Sequence, residues 1–151
     1  APKPAAATGR RSLVPLDGSQ TSEGVLARAQ ALARADGSEL VLLQVVNTAG
    51  EVFSDPAIAG DDIAAAAAAE KSYMDGVLTR LKSEGVFASL EIREGPIAET
   101  ILAVAREMNV NMIAMSTHGR TGLRRMLMGS ITEGIVKNSP VPVLVIRPKG
   151  D

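Results

Sequence analysis

Apolar residues recur along this chain with two alternating periods, and their order predicts alternating strands and helices. Ser12 to Leu16 is a short apolar run stopped by the turn cluster Asp17-Gly18-Ser19. From Thr21 to Ala35, Val25, Leu26, Ala29, Leu32 and Ala33 repeat at helical spacing, and Gly37 stands where a helix C-terminus favours glycine. Glu39 to Val46 (ELVLLQVV) is almost continuously apolar, the pattern of a parallel strand covered on both faces. Asn47 to Gly60 reads as a loop. Asp61 and Asp62 then occupy the N-cap and first turn of a helix reaching about Glu84, with Met74, Val77, Leu78 and Leu81 on one face. The alanine run within it, Ala64 to Ala69, is strong helix former.

The second half repeats the alternation. Phe87 to Arg93 reads as a strand, and Gly95-Pro96 opens a helix with proline at its first position. Ile97, Ile101, Val104, Ala105 and Met108 form the buried stripe of that helix, and Val110 to Met115 is the next strand. Ser130 and Glu133 match the capping box S-x-x-E, so a fourth helix starts there and ends before Pro140. Val141 to Ile146 is the fifth strand. The fold class expected is α/β, a doubly wound five-stranded parallel sheet of order 3-2-1-4-5 with helices on both faces. Residues 1–10, rich in Pro, Ala and Gly, read as a disordered tail, and 11–151 as a single domain.

Composition narrows the chemistry. With no cysteine and one histidine (His118), disulfide frameworks, zinc ribbons and thiol chemistry are excluded. Sixteen basic against 17 acidic side chains give a net charge of −1, and Phe53, Tyr73 and Phe87 are the whole aromatic complement. Neither a positive field nor a base-stacking platform for nucleic acid results. The longest unbroken apolar run, Ile63 to Ala69, is seven residues, whereas a membrane span needs about 20. No secretory h-region follows the amino terminus, so the expectation is a cytoplasmic protein.

In a doubly wound sheet, ligands bind at the carboxyl ends of the strands where the winding direction reverses, here between strands 1 and 4. Two unusual segments leave those ends: Pro15-Leu16-Asp17-Gly18-Ser19, and the stretch from Met115 through Ser116, Thr117, His118, Gly119, Arg120, Thr121 and Gly122. Gly119, Gly122 and Gly129 permit close backbone approach to a ligand. The helix starting at Ser130 offers free amides to an anion, and Arg120, Arg124 and Arg125 add positive charge. Asp17 reads as a ligand contact and His118 as a loop-structuring or ligand-contacting residue, since no nucleophile is partnered with either at a recognisable spacing and neither GxSxG nor a Walker lysine is present.

The stretch from Met115 to Thr132 resembles the nucleotide loop of the universal stress protein family, G-x2-G-x9-G-(S/T), with Gly119, Gly129 and Ser130 in register and Ser116 replacing the first glycine. The resemblance runs from Ser12 to Pro148, including the Val-Pro-Leu-Asp-Gly-Ser opening and the Val-Pro-Val-Leu-Val-Ile ending. It implies a stress-response protein that binds ATP and hydrolyses it slowly or not at all. The ATP contacts implied are Pro15, Asp17, Val45 and Met115 for adenine. Ribose and phosphate contacts would come from Ser116, Thr117, His118, Gly119, Arg120, Thr121 and Gly122, and from Gly129, Ser130, Ile131 and Thr132. Mg2+ or Mn2+ would be held through the phosphates, with no metal ligand set of the protein's own. A homodimer through the strand at 141–146 is also implied, and both faces of that edge are apolar. Two other functions compete: a dimeric interaction module without nucleotide, and a weak ATPase or nucleotide hydrolase. An ATP pyrophosphatase would need an S-G-G-x-D-S loop after the first strand, where Leu16-Asp17-Gly18-Ser19 stands.

Overall fold

Runs of aliphatic residues with two apolar faces need cover on both sides, and the chain supplies it with helices. The computed structural model describes residues 9–16, 20–46, 60–116 and 130–146. Among these, the elements are β1 (Arg11–Pro15), α1 (Gln20–Asp36), β2 (Glu39–Val46), α2 (Gly60–Ser83), β3 (Ala88–Glu94), α3 (Ile97–Glu107), β4 (Met112–Ser116), α4 (Ser130–Asn138) and β5 (Val143–Ile146). The strands form one sheet in the order β3-β2-β1-β4-β5, and every pairing is parallel. This is the doubly wound architecture that the periodicity predicts.

Alternation along the strands divides the core in two. Val14, Leu40, Leu42 and Ala114 pack with Val25, Leu26, Ala29, Met74, Val77 and Leu81, so α1 and α2 cover one face. Leu13, Val41, Leu43, Ile113 and Met115 pack with Ile101, Leu102, Val104, Ala105 and Ile135, so α3 and α4 cover the other. Leu40, Val41, Leu42 and Leu43 are all fully buried, which explains why the β2 sequence shows no polar alternation. Each such side chain stabilises the fold by roughly 1.5–3 kcal/mol relative to exposure.

Most boundaries fall within a residue of those expected, and three further differences have a local reason. Pro96 is the N-cap of α3 and not its first helical residue: its ψ is 140°, extended, and its carbonyl accepts the first helical bond, from the Thr100 amide at 3.0 Å. β4 begins at Met112 because α3 ends in a left-handed Asn109 (φ 51°), with the Val110 amide donating back to the Ala105 carbonyl at 3.2 Å. β5 begins at Val143 because Val141 is tied into a turn. The Ser139 hydroxyl accepts from the Val141 amide and donates to the Val141 carbonyl.

Candidate functional site

The sheet order reverses between β1 and β4, so the crossovers leave in opposite directions and a crevice opens at the carboxyl ends of these two strands. The backbone pairing of β1 differs on its two sides. β1 keeps five register pairs with β2, through Pro15 opposite Leu43. With β4 it keeps two, Ser12 opposite Met112 and Leu13 opposite Ile113.

Proline explains where that second ladder stops. The Leu16 amide donates to the Leu43 carbonyl of β2 at 3.0 Å, so odd-numbered residues of β1 face β4; accordingly the Arg11 carbonyl accepts from the Asn111 amide at 2.7 Å. The amide that would continue the β1–β4 ladder belongs to Pro15, which has no N–H. The strands are therefore unlaced at the level where a ligand would enter. The family resemblance implies Pro15 as a contact residue, and its missing donor adds a role in the backbone.

Around the crevice, Met115 and Ser116 close β4. Met115 is 7% exposed, and Ser116 is half-buried and pairs with Ile146 of β5. Ser116 is an ordinary strand residue: Asn109 is the one non-glycine with positive φ among the described residues. The family glycine is therefore not needed here for backbone conformation. Val45, half-buried near the end of β2, packs on the core layer beneath α3 and α4.

α4 runs from the carboxyl end of the sheet back to the start of β5, so its N-terminus lies at the crevice end. Its side chains and amides divide the work. Thr132 is 4% exposed, and Ile131 packs against the core layer. Both side chains are committed to the fold, and what these residues can offer a ligand is backbone N–H, since the first four amides of a helix lack intrahelical partners. Val45 and Met115 belong to the core layer beneath α3 and α4, and the free amides at the start of α4 suit an anion. Asp17, Thr117, His118, Gly119, Arg120, Thr121, Gly122 and Gly129 lie outside the described residues.

The family model for the universal stress protein family matches residues 9–147. The chain belongs to the universal stress protein family. Among curated relatives, universal stress protein MJ0577 of Methanocaldococcus jannaschii is 29% identical over 155 residues, covering 93% of this chain and 96% of that protein. The solved structure of MJ0577 superposes with a TM-score of 0.81, covering 96% of this chain and 100% of the other. UspA from Lactobacillus plantarum is 25% identical with a TM-score of 0.80, covering 93% and 99%. The same fold recurs in a universal stress protein in complex with cAMP, at 19% identity and TM-score 0.70, covering 93% and 98%. It recurs again in one from Archaeoglobus fulgidus in complex with dAMP, at 18% identity and TM-score 0.64, covering 91% and 97%. Among the described residues of this universal stress protein, no helix is long and apolar enough to cross a membrane.

Proposed function

We propose that this universal stress protein binds ATP in the crevice between β1 and β4, acting as a cytoplasmic nucleotide-binding regulator of the stress response. The carrying observation is the crevice itself, unlaced at Pro15 and facing the N-terminus of α4. Adenine lies against Pro15, Asp17, Val45 and Met115. The ribose and phosphates take the segment from Ser116 to Gly122, then Gly129, Ser130 and the amides of Ile131 and Thr132. Mg2+ or Mn2+ accompanies the phosphates. Members of the fold family in complex with cAMP and dAMP support the adenine assignment. Hydrolysis is slow or absent, because the sequence partners no nucleophile with a base at a recognisable spacing.

Residues 11–151 act as one domain and pair through β5 into a homodimer. β5 is a sheet edge, all four of its residues are half-buried, and Leu144 and Ile146 face one core layer while Val143 faces the other. A second subunit would complete both layers.

The test of the site is calorimetry with ATP. Gly119→Val crowds the backbone against the phosphates, and Ser130→Ala removes one hydrogen bond worth roughly 1.5–3 kcal/mol if charge-assisted. Both variants are expected to bind more weakly; unchanged affinity in both would sink the assignment. Light scattering of the wild type and of Val143→Lys/Val145→Lys tests the dimer, which should be present in the first and lost in the second.

A further inference from the structure

Among the described residues β3 is the other open edge of the sheet, and it is built unlike β5. All seven of its residues pair with Leu40 to Val46 without interruption, and none is proline. The Leu40 amide donates to the Phe87 carbonyl at 2.9 Å at one end of this ladder, and the Gly95 amide donates to the Val46 carbonyl at 3.0 Å at the other. Alternate residues of a parallel strand bond to the same neighbour, so the odd-numbered residues of β3 bond to β2. The N–H and C=O groups of Ala88, Leu90, Ile92 and Glu94 therefore point outward along the open edge. Ile92 on this edge is 39% exposed, flanked by Glu91 and Arg93 on the opposite face of the sheet.

We propose that β3 pairs antiparallel with β3 of a second copy of this chain, about a two-fold axis at Ile92. In this register Ile92 meets the partner's Ile92 and the two exchange both N–H···O bonds, as their outward amides allow. Leu90 and the partner's Glu94 form the next such pair. Glu91 falls opposite the partner's Arg93, and Arg93 opposite the partner's Glu91, at the non-hydrogen-bonded positions where Cα atoms approach to about 4.5 Å. Within one chain, Arg93 already bonds Glu91 and Glu107, each at 2.9 Å. Pairing two copies closes these charges into a ring of alternating sign, with Glu107 behind each guanidinium.

Neighbouring registers are disfavoured by the same residues. An axis at Glu91 sets two carboxylates opposite each other, and an axis at Arg93 sets two guanidiniums opposite each other. The five-residue run Leu90-Glu91-Ile92-Arg93-Glu94 is thus complementary to itself in one alignment. The interface is separate from β5 and from the nucleotide crevice, so it stands whether or not those proposals hold.

Sedimentation equilibrium over a concentration series tests it, using wild type, Ile92→Lys, Arg93→Glu and the exchange Glu91→Arg/Arg93→Glu/Glu107→Arg, which keeps opposite charges behind residue 93 as well as across the axis. Assembly through β5 would be common to all four proteins, so the β3 step is read as the difference between them. The expected result is an association step in the wild type that Ile92→Lys abolishes and Arg93→Glu weakens about tenfold or more, since the symmetry counts each like-charge pair twice. The exchange variant restores it. Equal masses for wild type and Ile92→Lys at every concentration would overturn the proposal, and so would an exchange variant as weak as Arg93→Glu.

Discussion

Arg11 and Asn111 hold each other through reciprocal hydrogen bonds: the Arg11 amide donates to Asn111 Oδ1 at 2.9 Å, and the Asn111 amide donates to the Arg11 carbonyl at 2.7 Å. The Arg11 guanidinium reaches further, to Glu39 Oε1 at 3.2 Å and to the Met108 carbonyl at 3.0 Å. One side chain thereby joins the amino ends of β1 and β2 to the last turn of α3. Asn111→Ala leaves the Arg11 amide to water, and a loss of about 1 kcal/mol is expected. At this chain length that lowers Tm by roughly 2–4 °C. Urea unfolding measures it, and ATP affinity should not change.

Pro15→Ala supplies the amide that the β1–β4 ladder lacks. The strands can then lace one step further, with Ala114 as the neighbouring acceptor, and the crevice narrows. Stability is expected to hold or to rise by up to about 1 kcal/mol, while ATP affinity falls about tenfold, equivalent to about 1.4 kcal/mol. Calorimetry alongside thermal unfolding separates the two effects.

Two glycines respond oppositely to alanine. Gly76 lies within α2, and a Cβ there meets nothing within 4 Å, so Gly76→Ala should stabilise by about 0.5–1 kcal/mol. Gly95 has φ +142°, and a Cβ would stand 2.8 Å from Thr100 Oγ1. Gly95→Ala should destabilise by about 1–3 kcal/mol. Chemical denaturation of the two variants should show opposite signs.

Hydrogen bonds to Glu107 and then Glu91 raise the Arg93 guanidinium above its ordinary pKa. A raised pKa contributes stability that is complete below the unfolded-state value and is lost only as pH climbs through the folded-state value. For arginine that lies beyond the working range. Arg93→Gln should therefore cost the same at about pH 6 and about pH 9. The ion pairs are partly exposed, so the loss should stay below about 1 kcal/mol and shrink with added salt. Melting curves at both pH values check it.

Hydropathy, with a capping box for α4, revealed each strand and helix among the described residues, and Glu39 to Val46 coincides with β2 to the residue. It did so because two-sided burial leaves a continuous aliphatic signature. Boundaries slipped where a hydrogen bond decides them: Val110 bonding back to Ala105, and Ser139 holding Val141. No hydrophobic pattern encodes either. The crevice between β1 and β4 followed from chain order and crossover handedness alone. The inward commitment of Ile131 and Thr132 did not, because which side of a capped helix meets the core depends on how the helix is docked.

The sheet is fastened and opened at opposite ends. Arg11, Glu39, Asn111 and the Met108 carbonyl lock the amino ends of the strands, while Pro15 leaves the β1–β4 seam without a ladder bond at its carboxyl end. With about 3.3 Å per residue, the five residues of β1 separate the two by roughly the length of the strand. Robustness and recognition can thus drift independently in this lineage: sequence change at the latch end alters how long the protein survives heat, and change at the open end alters what it holds.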